Sequence, residues 1–151
     1  MKWLFAVVLS LVLFQPAAEA QEMTIGYRDE MVFSITADLE KIEAEWEAFL
    51  LEHAMKAELS DWKITSNMDG ETEYLMLVAR DDRSNIRIAS LLMQDGNKLS
   101  LPTSGGKTAR LIVCQGCPEG CNPAFTKEGP FCTDCGSTVG CKKVTSVFAA
   151  E

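Results

Sequence analysis

The sequence predicts an α+β protein: a small antiparallel sheet of four to six strands, covered by one amphipathic helix, with a cysteine-rich loop or hairpin segment at the C-terminus. Three observations predict it. Only the stretch from about Leu39 to Leu59 repeats its apolar residues at helical spacing. Short apolar runs separated by turn residues surround it, as in a meander of strands. All six cysteines of the 151 residues fall between Cys114 and Cys141.

Taken in order, the chain starts with an export signal. Lys2 gives a positive start, Leu4 to Phe14 is an unbroken run of apolar and small residues, and Pro16 breaks it. Ala18-Glu19-Ala20 puts small residues where a signal peptidase reads, so cleavage is expected after Ala20. A run of about 11 such residues falls well short of the roughly 20 that a membrane-crossing helix needs. Gln21 rather than a cysteine follows the cut, which argues against a lipid anchor. The expected organisation is a signal peptide over 1–20, an α+β body over 21–106, and a cysteine-rich segment over 107–151 that packs on or continues the body.

In the body, Met31-Val-Phe33-Ser-Ile35 alternates and reads as a strand. The helix follows. Leu39, Ile42, Trp46, Phe49, Leu50 and His53 make its apolar stripe, and Asp38 or Thr36 can cap its start. Glu40, Lys41, Glu43, Glu45, Glu47, Glu52 and Lys56 occupy the other faces, read as a solvated surface and not a cation site. His53, the one histidine, reads as a packed, hydrogen-bonded residue because no partner for base catalysis is evident. Asp61 to Ile64 opens a second strand, and Asn67 to Gly70 reads as a turn with Asp69-Gly70 as its core signal. Glu73 to Arg80 and Ile86 to Met93 are further strands, with Asp81 to Asn85 turning between them. Asp95-Gly96 signals a tight hairpin returning through Lys98 to Leu101.

Pro102 to Thr108 is the boundary candidate. Its Gly106-Lys107-Thr108 lacks the glycine that a phosphate loop needs five residues earlier, where Leu101 stands. Ala109 to Val113 is a short apolar strand running into Cys114, and Lys142 to Phe148 can form a last one.

Charge narrows the partners. The chain carries a net charge of −8, and residues 21–113 hold 17 acidic and 10 basic side chains. Nucleic acids and anionic membranes require a basic footprint, so neither is an expected partner. No stretch after the signal is long and apolar enough to span a bilayer.

The cysteines admit several chemistries. They read Cys114-x2-Cys117-x3-Cys121, then Cys132-x2-Cys135-x5-Cys141. An even number in an exported, Gly- and Pro-rich segment points to three structural disulfides, whose pairing is one of about 15 arrangements. The alternative is zinc on Cys114, Cys117, Cys132 and Cys135, since Cys132-Thr-Asp-Cys135-Gly136 resembles a zinc-ribbon knuckle. Cys121 and Cys141 would then pair with each other. The spacing fits neither ferredoxin pattern of iron–sulfur ligation. Covalent haem is excluded because Pro118 and Gly136 stand where its motif needs histidine. Neither C-x-x-C opens a helical run, which weakens a redox role.

No nucleophile–base pair is evident, so no catalytic residue is assigned and no cofactor is preferred. The expected function is that of an exported, small, non-enzymatic protein, secreted or periplasmic, acting as a disulfide-stabilised binding or envelope interaction module with a protein partner. The alternative is a metal-binding (four-cysteine zinc) or thiol-redox protein that uses the two C-x-x-C pairs.

Overall fold

The computed structural model describes residues 22–136 and 140–147. The signal segment 1–20, its cleavage site and Phe148 lie outside the described residues. In chain order the elements are β1 (Glu22–Asp29), β2 (Val32–Ile35), α1 (Glu40–Glu52), β3 (Ser60–Asp69), β4 (Thr72–Asp81), β5 (Ile86–Leu91) and β6 (Met93–Asp95). Then follow β7 (Lys98–Ser104), β8 (Lys107–Thr108), β9 (Arg110–Gln115), β10 (Pro123–Thr126), β11 (Gly129–Cys132) and β12 (Lys142–Val147).

This architecture corrects the predicted fold class. Strands take 57% of the described residues and helix 11%, so the protein is mostly β and not a small sheet covered by a helix. The strands form two five-stranded sheets and a two-stranded one. The larger layer has the order β12-β9-β5-β4-β3. The second has the order β2-β1-β7-β6, with β8 on β7, and the small one is the β10–β11 hairpin. All strand pairs are antiparallel.

The physical reason for the difference lies at two sheet-switching points. The stretch Ile86 to Met93 is expected as one strand, yet the chain leaves the first sheet at Leu92, whose N–H donates to the Leu75 carbonyl at 2.8 Å. Likewise the chain passes from β8 to β9 at Ala109, whose N–H donates to the Pro102 carbonyl at 2.9 Å. Bends of this kind make the corners where strands move from one packed sheet to another. In addition, the unpredicted β1 pairs with both β2 and β7 and so creates the second sheet. Gly26 permits that pairing: a Cβ there would sit 1.8 Å from the Ser34 carbonyl oxygen, next to the register shift after Thr24.

Alternation along the larger sheet sorts its side chains onto two covered faces. Leu75, Leu77 and Ala79 of β4, Ile86 and Ile88 of β5, and Leu111 and Val113 of β9 pack with Ile25, Leu99 and Leu101 of the second sheet. Helix α1 joins this core through Ile42, Trp46, Phe49 and Leu50. Met76, Val78, Ala89, Ile112 and Cys114 point to the opposite face, against Cys121 and Phe125 of the cysteine-rich segment. The helix is therefore part of one cover and not the whole of it.

Of the predicted stripe, Ile42, Trp46, Phe49 and Leu50 are buried within α1, while Leu39 and His53 sit at its two ends outside the helix, which is shorter than expected. The Asp38 carboxylate accepts the Glu40 N–H at 3.1 Å at its start. At its end His53 donates its Nδ1–H to the Phe49 carbonyl at 2.9 Å, and Ala54 takes a positive φ of 58° that stops helical propagation. His53 is exposed and rests on the Phe49 ring at 4.4 Å, so it finishes the helix instead of packing in the core. Trp46, fully buried, donates its Nε1–H to the Thr108 hydroxyl at 3.0 Å, which ties the helix to β8. The Gly106-Lys107-Thr108 sequence is thus the end of a hairpin turn, in which Gly105 and Gly106 both have positive φ.

Candidate functional site: a three-bridge layer on the sheet

The cysteine-rich segment begins inside the sheet. β9 lies between β5 and β12, and Cys114 is its last fully buried side chain. From there the chain loops out through Cys117 and Cys121, makes the β10–β11 hairpin ending at Cys132, passes Cys135 and Cys141, and returns as β12 beside β9.

The six cysteines pair as three disulfides, the first three with the last three in the same order. Cys114 joins Cys132, Cys117 joins Cys135 and Cys121 joins Cys141, with Cα separations of 5.8, 5.7 and 5.5 Å. These separations suit the covalent geometry of a bridge. Two of the bridges each take one sulfur from either C-x-x-C. The four cysteines of the zinc alternative are consequently bonded crosswise, and no thiolate is left on them in this state. The third bridge makes the Cys121–Cys141 pair.

Two glycines fit the sulfur layer. A Cβ on Gly116 would approach Cys121 Sγ to 3.0 Å and Cys135 Sγ to 3.2 Å. One on Gly120 would meet the Asp134 carbonyl oxygen at 2.5 Å and Cys117 Sγ at 2.9 Å. Side chains at either position would push apart chain segments that the bridges hold together.

Polar side chains from the sheet then fix the segment. Arg87 of β5 reaches into the Cys117–Gly120 loop, where its guanidinium donates to the carbonyls of Cys117 (3.2 Å), Gly120 (2.7 Å) and Pro118. Asn67 of β3 acts like one unit of a strand. Its amide donates to the Phe125 carbonyl at 2.7 Å and accepts the Phe125 N–H at 3.1 Å. Asp69 accepts the Lys127 N–H at 3.0 Å. Arg87 carried no sequence expectation, and Asn67, expected in a turn, lies instead in β3, which runs to Asp69. A signal for Arg87 existed: in Ile86-Arg87-Ile88 it faces away from two buried isoleucines, so it belongs to whatever covers the other face.

The acidic surface is less solvated than expected. Glu43, Glu47, Glu58, Asp81, Asp82 and Arg83 line a cleft of about 490 Å³ with Leu59 and Ser60. Several of its carboxylates serve the backbone. Glu47 accepts the Leu59 N–H at 2.8 Å, and Glu45 outside the cleft accepts the Thr108 N–H at 2.6 Å. Buried Asp81 accepts the Arg83 N–H at 2.9 Å, the Glu58 N–H at 3.2 Å and the Ser84 hydroxyl at 2.9 Å. Burial pushes the Asp81 pKa up, but these donors outweigh it and hold the carboxyl below its ordinary value.

Comparison with known proteins adds no identity: no family model matches the chain, and no curated protein or solved structure is significantly similar to it. Among the described residues no helix is long and apolar enough to cross a membrane.

Proposed function

We propose that this chain is exported to an oxidising compartment, secreted or periplasmic, and acts there as a non-enzymatic, disulfide-stabilised interaction module for a protein partner. The observation that carries this reading is the use of the cysteines. All six are spent on bridges that close loops over an apolar sheet face. Bridges persist where the redox environment is oxidising, and small exported domains use them to order loop-rich segments. The signal pattern at 1–20 and the acidic body, which suits solubility outside the cytoplasm, point the same way.

Loops held this way can present a fixed surface with little ordering cost on binding. Here the β10–β11 hairpin presents half-exposed Phe131 and exposed Glu128 at the surface of the layer.

Mass spectrometry of the native protein recovered from the extracytoplasmic fraction tests the reading. The expected chain starts at Gln21, weighs six hydrogens less than the reduced chain, and takes up no alkylating agent until a reductant is added. Retention in the cytoplasm, or native protein with free thiols and a bound metal, would overturn it. Partner capture is tested by replacing Phe131 and Glu128 with photo-crosslinking residues in the exported chain. Specific adducts are expected there, and none at Glu71 in the β3–β4 turn; equal labelling at all three sites counts against the module.

A further inference from the structure

The sulfurs of two bridges converge. Sγ atoms of Cys114, Cys132 and Cys141 all lie within 4.8 Å of one another. They come from different arms of the segment: the end of β9, the end of β11 and the residue before β12. Cys121 is bonded to Cys141 and so stands beside the same group. Cys121 is itself outside the group of three and adjoins it through that bond alone, whereas Cys117 and Cys135, bonded to each other, have no bond to any of the three.

Four thiolates around one zinc-class ion have metal–sulfur bonds of about 2.3 Å, which sets the sulfurs about 3.8 Å apart. Three sulfurs within 4.8 Å need only small side-chain movements to reach that spacing once their bonds are opened. The scaffold also restricts where they can go, because Cys114 and Cys141 flank the paired strands β9 and β12.

We propose that the Cys114–Cys132 and Cys121–Cys141 bridges form a latent thiolate site, which takes up one soft divalent cation of the zinc class after reduction by a dithiol. Each bridge accepts two electrons and two protons from one dithiol and becomes two thiols, while that dithiol is oxidised to its own disulfide, so opening both bridges consumes two dithiols. Metal binding then deprotonates the thiols and releases those protons to solvent. Cys114, Cys132 and Cys141 supply three ligands and Cys121 the fourth. This ligand set differs from the one suggested by sequence spacing, which used Cys117 and Cys135. It does not depend on any partner-binding role of the oxidised protein.

The test uses the chain from Gln21 onward, reduced anaerobically with a phosphine and titrated with Cd²⁺, followed by sulfur-to-metal charge-transfer absorption and metal analysis. One Cd²⁺ per chain is expected in the reduced protein and none in the oxidised one. Alkylation of the Cd²⁺-loaded protein should modify Cys117 and Cys135 and spare the other four cysteines. The double variant Cys117→Ser/Cys135→Ser should keep its Cd²⁺ affinity within about threefold, whereas Cys121→Ser/Cys141→Ser should lose tenfold or more. The reverse ranking, or protection of Cys117 and Cys135, would overturn the proposal in favour of the C-x-x-C ligand set. Amide exchange of the β9–β12 pair is followed alongside. A reduced chain whose protection there is neither kept nor restored by Cd²⁺ also overturns it, since the site needs those strands.

Discussion

Removing the Cys121–Cys141 bridge tests how the three cross-links share their task. The perturbation is replacement of both cysteines by alanine. Taken alone, this bridge spans a sequence separation of 20 residues, and a cross-link closing about 20 residues restricts the unfolded chain by about 3.3 kcal/mol. It does not act alone. With Cys117–Cys135 intact, the path from Cys121 to Cys141 runs back to Cys117, across that bridge, and on from Cys135. This is a loop of about ten residues, for which the same relation gives about 2.7 kcal/mol. Removing either of the other bridges opens a loop of only about six residues and should cost about 2.2 kcal/mol. Losing all three would cost about 8 kcal/mol, comparable with the whole stability of an ordinary domain. Guanidinium unfolding, followed by the fluorescence of Trp46 and Trp62 in the core, measures each value. The expected order is Cys121–Cys141 first, with the other two slightly smaller. A loss below about 1 kcal/mol for the Cys121/Cys141 variant would refute the reasoning, because the constraint would then be absent or already supplied by residual structure.

Four other outcomes are expected, from Gly120, Arg87, Trp46 and Asp81. Gly120→Ala should lower stability by about 2–3 kcal/mol in the same unfolding assay, because backbone atoms of Asp134 and Cys135 stand within 2.9 Å of the new Cβ. Arg87→Met keeps an unbranched apolar stem but removes the guanidinium and its donors to Cys117, Pro118 and Gly120. It should cost about 1–3 kcal/mol and speed amide exchange in the 116–121 loop while leaving the β3–β4 hairpin protected. Trp46→Ala should cost about 3–5 kcal/mol by emptying a fully buried site and leaving Thr108 without its indole partner, read as a fall in the unfolding midpoint. Asp81 sets an acid limb to stability. Its folded pKa lies below its ordinary value of 3.8, so its contribution is complete above that value and is lost as pH falls through the folded pKa. Comparing denaturation midpoints between pH 6 and pH 2.5 should show a shallower decline in Asp81→Asn than in the parent chain.

Much of the strand order was legible. β4 covers the predicted Glu73–Arg80 almost residue for residue, and the Asp69-Gly70 and Asp95-Gly96 signals fall at the β3–β4 and β6–β7 hairpins. Sheet membership was not legible, because turn chemistry reports that the chain reverses and says nothing of which layer the next strand joins. β1 escaped for a different reason: it offers only Met23 and Ile25 to the core, and Gly26 interrupts its pattern where the chains come close. One clue was present and unused. Leu75 to Ala79 is buried throughout, and so is Leu111 to Cys114. A strand apolar on both sides needs two covers, and one helix can supply only one. Of the layer itself, the six cysteines were visible but not their pairing, because spacing constrains neighbours along the chain while pairing depends on where β10, β11 and β12 bring them.

The position of β9 decides what kind of addition the cysteine-rich segment is. A cystine-rich tail stapled for its own sake would leave the body with a complete sheet. Here the segment contributes β9 and β12, and β9 supplies Leu111 and Val113 to one core and Ile112 and Cys114 to the other. All three bridges nevertheless join residues of the segment to one another, so none binds it covalently to β3, β4 or β5. Shape and attachment therefore have separate causes. The bridges set the shape of the loops by limiting their unfolded freedom. Attachment comes from burial of Phe125 against Met76 and Val78, from Arg87 in the loop carbonyls, and from Asn67 on the backbone of β10. Breaking one bridge should loosen the loop it closes while the layer stays seated. Breaking the Arg87 or Asn67 contacts should release the 117–120 loop or the β10–β11 hairpin from the sheet while each keeps its own shape and β9 stays paired. A partner that reads the loops would then lose affinity by two distinguishable routes: through shape in the cysteine variants and through position in the arginine and asparagine variants.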